Sequence, residues 1–131
     1  MVWPRVDGLR TLELGSPGEM RARLNGLVLA GRKRATAGVL TEDYEREDEP
    51  LEHLGERLVL VDDDGVQVAV LEVTDVDVAR FADVPWEFAA AEGEGHADLD
   101  AWRSGHQRFW ARQGVVVDDD TMIVMVRFAL T

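Results

Sequence analysis

Residues 27–38 read LVLAGRKRATAG, and the way this stretch divides decides the fold. Gly31 is well placed as the left-handed residue just past a helix end, because it has no Cβ to resist positive φ. After it, Thr36 and Val39 suit an extended segment better than another helical turn, since β-branched side chains pack well on a pleated surface. The stretch is therefore a helix-to-strand junction, and Lys33 stands at it. Thirteen of the fourteen cationic residues are arginines and Lys33 is the only lysine. An arginine fork stays charged at any working pH, whereas an ammonium is a point charge with a tunable proton. Coding bias toward arginine is the competing explanation. Ends of elements on a rigid scaffold are where reactive side chains tend to be placed.

Upstream, Ser16-Pro17-Gly18-Glu19 predicts a helix over residues 17–30. Serine serves as N-cap, proline takes the first helical position, and the glutamate three residues after the cap completes a capping box. Met20, Leu24, Leu27 and Val28 form the apolar stripe, with Arg21 and Arg23 off it. Residues 1–10 show no clear period and read as a loosely held arm, so that organisation starts at Leu12. Downstream, residues 41–50, TEDYEREDEP, read as an acidic solvated turn or short helix carrying the only tyrosine, Tyr44. Residues 57–61 and 66–74 are apolar, β-branched runs divided by Asp62-Asp63-Asp64-Gly65, a hairpin signal because Asp-Gly accepts positive φ readily. Val66, Val68, Val70, Glu72 and Thr74 share one face of the second run, which puts Glu72 at the sheet rim or buried with a partner.

Val76, Val78 and Phe81 prolong that strand, and Pro85 starts a short helix through Ala91. Glu92-Gly93-Glu94-Gly95 then breaks the helix and exposes backbone amides. Asp98 caps a second full helix running to about Gln113, with Leu99, Trp102, His106, Phe109 and Trp110 on its packed face. Gly105 within it costs about 1 kcal/mol against alanine and points to the close approach of another backbone. Gly114 ends the helix, and a last strand covers residues 122–130. This order of elements predicts an α+β domain with a compact or partly closed sheet.

A chain of 131 residues buries roughly two-thirds of its unfolded surface as one domain, here 1–131. No apolar run nears the roughly 18 residues of a membrane-spanning helix, so no membrane partner is expected. The first ten residues lack the apolar centre of a signal peptide, and with no cysteine there is no disulfide framework or thiolate metal site. A cytoplasmic location is the expectation. The formal net charge of −12 repels a long polyanion such as duplex DNA. A small ligand in a pocket, or short single-stranded RNA met by a confined patch, is compatible with it. Arg32-Lys33-Arg34 is the densest positive run.

Three groups could carry chemistry. Lys33 and Thr36, three apart, pair an amine with a hydroxyl nucleophile if the backbone turns there, and are otherwise a solvated lysine and a strand threonine. Glu92 and Glu94 could divide acid and base roles, or bind a cation, or be exposed loop carboxylates. His106 beside Trp102 and Phe109 is either a satisfied core histidine or a ligand. His96, His106 and the two glutamates are a conceivable metal set, but no HExxH, paired-cysteine or EF-hand spacing supports it, so no metal is expected. Nor is there a nucleophile elbow, P-loop or dinucleotide fingerprint, and no cofactor is expected.

Taken in order, these groups resemble the ASCH domain family, whose fold is similar to the RNA-binding PUA domain. Gly31-Arg32-Lys33-Arg34-Ala35-Thr36 looks like the family's GxKxxT motif, and Leu71-Glu72-Val73-Thr74 like its central strand. Glu92-Gly93-Glu94-Gly95, Leu99, Trp102 and His106 resemble the EGEG, L, W, H pattern of the larger bacterial branch. The resemblance covers residues from Leu12 to the C-terminus. It implies a small PUA-like β-barrel of five or six mostly antiparallel strands flanked by helices. It further implies amide hydrolysis on an acylated nucleoside such as N4-acetylcytidine, with Lys33, Thr36 and Glu94 catalytic and Glu92, on the same glycine turn, the alternative to Glu94. Arg32, Arg34, Tyr44 and Glu72 would surround the ligand together with Glu92, Trp102 and His106. The alternative is a non-catalytic RNA- or nucleotide-binding module, with a ribonuclease less supported. Gly55-Glu56 stands where the family often has Gly-Asp, and the acidic insert over residues 44–50 is longer than in small hydrolytic members.

Overall fold

A computed structural model describes residues 3–131. In chain order the elements are β1 (Arg5–Val6), β2 (Leu9–Leu12), α1 (Glu19–Leu29), β3 (Ala35–Val39), a π-helical turn (Leu40–Glu45), β4 (Arg57–Val61), β5 (Gln67–Arg80), a 3-10 turn (Phe81–Asp83), α2 (Trp86–Ala91), α3 (Leu99–Arg112) and β6 (Met122–Leu130). The six strands form one sheet in the order β1-β2-β4-β5-β6-β3. Only β2 and β4 pair in parallel; the other ladders are antiparallel. The class is α+β, similar to the PUA-like fold, but the expected barrel is an open sheet. Among the described residues no ladder joins β1 to β3. Side chains bridge instead: Trp3 packs edge-on against Tyr44 at 5.1 Å and its indole N–H donates to the Asp43 carbonyl at 3.0 Å.

The N-terminal segment is not a loose arm. Asp7 and Gly8 both take positive φ, 51° and 80°, the two-residue turn whose twist matches that of paired strands, and β1 and β2 form a hairpin across it. Arg10 on β2 is buried and grips Glu56 through two hydrogen bonds of 2.7 Å.

Around the junction, α1 starts two residues later than expected and without its capping box. Gly18 is the cap residue, and its amide hydrogen is taken by the Asp63 carboxylate at 2.9 Å, supplied by the β4–β5 hairpin. The buried stripe also turns, to Arg21, Leu24, Asn25 and Val28. Arg21 can sit inside because its guanidinium donates to the carbonyls of Leu14 and Gly15 and reaches Asp63 at 3.4 Å. At the other end Gly31 takes φ 76°, and the bonds from Gly31 N to Val28 O and from Arg32 N to Leu27 O complete a Schellman motif. That motif turns the chain directly into β3.

On β6, Ile123 and Met125 pack with Phe81, Phe88, Trp102 and Trp110 under α2 and α3, while Val124 and Val126 pack with Leu58, Val73 and Tyr44 on the opposite face. A strand buried on both faces fixes register firmly, since a one-residue slip would exchange the two cores. In β5 the register shifts between Val73 and Asp75, a bulge that moves the inward positions from Leu71 and Val73 to Val76 and Val78. Glu72 is half-buried, on the side of β5 away from Leu71 and Val73, so the face that carries it is not the main core face.

Candidate functional site

Two backbone contacts bring the junction to the glycine-rich turn. The Arg34 amide donates to the Ala91 carbonyl at 2.8 Å, and Gly93, at φ 65°, lies flat against the Arg32–Lys33 peptide. A Cβ on Gly93 would overlap the Arg32 carbonyl and stand 3.0 Å from the Lys33 nitrogen, so only glycine fits there. The turn after α2 is thereby pinned with Glu92 and Glu94 on either side of Lys33.

Lys33 is buried, and its ammonium has three acceptors: Ala35 O at 2.8 Å, Glu92 Oε2 at 3.0 Å and Glu94 Oε2 at 2.7 Å. Burial alone would drive off the proton, but Glu92 and Glu94 outweigh it and hold the Lys33 pKa above its ordinary value. Lys33, whose proton the sequence leaves tunable, is neither a solvated lysine nor a neutral amine but a buried ammonium. Glu92 is fully buried, and burial opposes its charge; Lys33 and His106 overcome that and keep its carboxyl well below the usual range.

The other Glu92 oxygen, Oε1, accepts from the Trp102 indole at 2.7 Å and from His106 Nε2 at 3.0 Å. His106 Nδ1 lies 2.9 Å from the Trp102 carbonyl, which can only accept. Both ring nitrogens thus face acceptors, and the ring is an imidazolium. Burial would lower its pKa, and the carboxylate contacts raise it. The ring stacks on the Trp102 indole at 4.1 Å. Two cations and two carboxylates balance one another. Glu92, Glu94 and His106 each bring a potential ligand atom within 4.8 Å of the others, a set of metal-ligand type. A metal there would have to displace the Lys33 ammonium, and His106 has no free lone pair to give it.

Lys33, Thr36, Glu92, Glu94, His96 and His106 line one cavity of about 290 Å³. The Thr36 hydroxyl is without a hydrogen-bond partner among the described residues. It also lines an adjoining cavity of about 500 Å³ that holds Trp3, Tyr44, Asp43 and Glu52, with Leu14, Gly15, Ala37, Phe109 and Trp110 as shared wall. Gly105 admits the His96 ring, whose Nε2 would stand 2.9 Å from a Cβ; the close approach there is a side chain, not a backbone. Burial and the charge on His106 both lower the His96 pKa, and its Nδ1 is buried without a partner.

The remaining sequence candidates fall elsewhere. Trp102 is completely buried and reaches the cavity through Glu92 and the His106 ring stacked on it. Tyr44 is buried in the second cavity, donating to Glu52 at 2.9 Å; burial, with Glu52 beside it, raises its pKa far above the usual phenol range. Arg32 and Arg34 are exposed and line neither cavity, and Glu72 lines neither. Conversely, Arg23, Arg108 and Arg112 line the first cavity and were not singled out by the sequence reading. The signal available was the i, i+4 spacing of Arg108 and Arg112 on a helix that also carries His106.

A family model described as ASCH domain matches residues 11–131. No curated protein matches the sequence. Among solved structures, the chain is similar to an ASCH domain from Lactobacillus crispatus at 26% identity and TM-score 0.79, over 92% of this chain and 77% of that one. A protein from Enterococcus faecalis is 31% identical with the same TM-score, over 91% of this chain and 74% of that one. A hypothetical protein at 14% identity and TM-score 0.60, covering 83% of this chain and 92% of that one, shares the fold alone.

Proposed function

This chain belongs to the ASCH domain family, and on that premise we propose that its cleft hydrolyses the amide of an acylated nucleoside such as N4-acetylcytidine. The observation that carries the reading is the meeting of Lys33, Thr36 and Glu94 on the wall of one small, largely polar cavity, with the ammonium 2.7 Å from the Glu94 carboxylate. A volume of about 290 Å³ suits a small molecule.

The roles follow from protonation. A charged Lys33 is a poor base; with its three N–H groups held by Ala35, Glu92 and Glu94 it fixes the Glu94 carboxylate and places a positive charge beside the developing oxyanion. Glu94 is the carboxylate with partial solvent access, its side chain one-tenth exposed against 2% for Glu92. Glu94 takes the proton from the Thr36 hydroxyl as Oγ attacks the acyl carbon, and passes it to the cytosine N4 as the carbon–nitrogen bond breaks. Water then cleaves the acyl-threonine, releasing acetate and restoring the hydroxyl. Glu92, locked between Lys33, Trp102 and His106, positions the ammonium.

The test is acetate release from N4-acetylcytidine by purified protein. Thr36→Ala is expected to lower kcat by about 10²–10⁴ with its melting temperature nearly unchanged. Wild-type protein that releases no acetate contradicts the reading.

A second reading, a nucleotide- or RNA-binding module without chemistry, is favoured by the exposed Arg32 and Arg34, neither of which has an acidic partner among the described residues. It predicts single-stranded RNA binding that weakens steeply with salt and falls in an Arg32→Gln, Arg34→Gln variant.

A further inference from the structure

The chain carries a formal net charge of −12, yet the first cavity is lined by Arg23, Lys33, Arg108 and Arg112 and by the His106 imidazolium, against two carboxylates. Glu92 and Glu94 are both engaged by Lys33. The three guanidiniums are therefore surplus. Arg108 and Arg112 stand four apart on α3 and so share a face, and Arg23 comes to the same cavity from α1. All three are exposed, and none makes an ion pair or hydrogen bond with the described residues. Several arginines elsewhere are paired, Arg10 with Glu56, Arg21 with Asp63 and Arg80 with Asp83, and the unpaired Arg32 and Arg34 line no cavity. In a protein with nearly twice as many acids as bases, three unpartnered arginines around one opening are not explained by folding.

The adjoining cavity is the opposite. It is lined by Glu13, Glu42, Asp43, Glu47 and Glu52 and by no lysine or arginine. A ligand spanning the shared wall at Thr36 meets positive charge at one end and negative charge at the other. Guanidinium forks match phosphate oxygens two by two, and an isolated cationic cluster in an acidic protein concentrates one anionic group. A nucleic-acid strand would have to carry successive phosphates past the carboxylates of the second cavity.

We infer that Arg23, Arg108 and Arg112 form a subsite for a single phosphate monoester, so that the cleft takes an acylated mononucleotide in preference to the free nucleoside or to an RNA strand. The inference rests on the reading of the cleft as a nucleoside site, but not on catalysis there.

Calorimetric titration of the wild-type protein with cytidine 5′-monophosphate and with cytidine separates the two questions, because neither probe carries an acyl group. The monophosphate is expected to bind about tenfold tighter or better, with the advantage shrinking between about 50 and 200 mM salt. An Arg108→Gln, Arg112→Gln variant is expected to lose that advantage while keeping its cytidine affinity and, to within a few degrees, its melting temperature, since both side chains are exposed and neither makes an ion pair or side-chain hydrogen bond with the described residues. Equal affinity for the two probes, no binding of either, or an advantage that survives the double substitution overturns the subsite. Tighter binding of a cytidine hexanucleotide than of the monophosphate overturns the preference for a mononucleotide. A phosphate advantage without acetate release from N4-acetylcytidine would sink the hydrolytic reading alone.

Discussion

Lys33 owes its charge to its neighbours, and the consequences are measurable one residue at a time. Removing the carboxylate of Glu92 leaves an ammonium and an imidazolium facing each other's positive charge in a buried site. Glu92→Gln is expected to cost about 3–5 kcal/mol in denaturant unfolding, the range seen when one partner of a buried pair is removed. The same cluster gives stability a pH dependence. His106 has a folded pKa raised above 6.5, so its contribution is complete below that value and is lost as pH rises through the raised one. Glu92 is lowered from 4.5, so its contribution is complete above that value and is lost as pH falls through the lowered one. Thermal melts of wild type and His106→Gln from about pH 5 to about pH 9 are expected to converge as pH rises; a constant gap would show that the imidazolium does not form. Glu49 provides an independent acid-side titration. Hydrogen bonds from Arg5 and from the Trp3 amide bring its pKa to about 2, so its share of stability fades between its ordinary value of 4.5 and that point, and Glu49→Gln is expected to flatten the acid limb.

At the scale of elements, the site depends on how α1, β3 and the turn after α2 meet. Gly93→Ala places a methyl group on the Arg32 carbonyl, and it is expected to lower both melting temperature and ligand affinity, whereas Gly95→Ala, with open space around it, strains only its own backbone. At the start of α1, Ser16→Ala is expected to be nearly neutral, and Asp63→Ala to cost about 1 kcal/mol or more, because Asp63 alone both caps the helix and pairs with Arg21. That contrast shows what sequence could and could not deliver. The end of α1, β4, the hairpin turn, the Asp98 cap and β6 were legible because each rests on local chemistry: a glycine at positive φ, a carboxylate three residues before an amide, a β-branched run. The start of α1 was not, because its cap comes from a residue 45 positions away. The buried Arg21 was missed for the same reason: its acceptors lie on a turn that periodicity does not see. The β1–β2 hairpin carried in Asp7-Gly8 the same dipeptide that identified the later one, but its strands were too short to show alternation.

For the molecule as a whole, the sheet is the frame on which two oppositely charged cavities meet. The expected barrel stays open because Trp3 and the π-helical turn, not a strand ladder, occupy the seam between β1 and β3. Lys33, Thr36 and the EGEG turn could be associated from sequence only through family resemblance, since the glutamates lie about sixty positions from the lysine. Arg32 and Arg34, in the densest basic run, stay on the surface, and the cationic end of the cleft is assembled from arginines spaced along α1 and α3 rather than adjacent in sequence. The central claim is that this cleft performs chemistry with Thr36 as nucleophile and Glu94 as proton carrier. Steady-state acetate release from N4-acetylcytidine by wild type, Thr36→Ala and Glu94→Gln tests it most directly. Turnover by the wild type, reduced about 10²-fold or more in each variant while both remain folded, is the predicted result; no turnover by the wild type, or turnover undiminished in the variants, would contradict it.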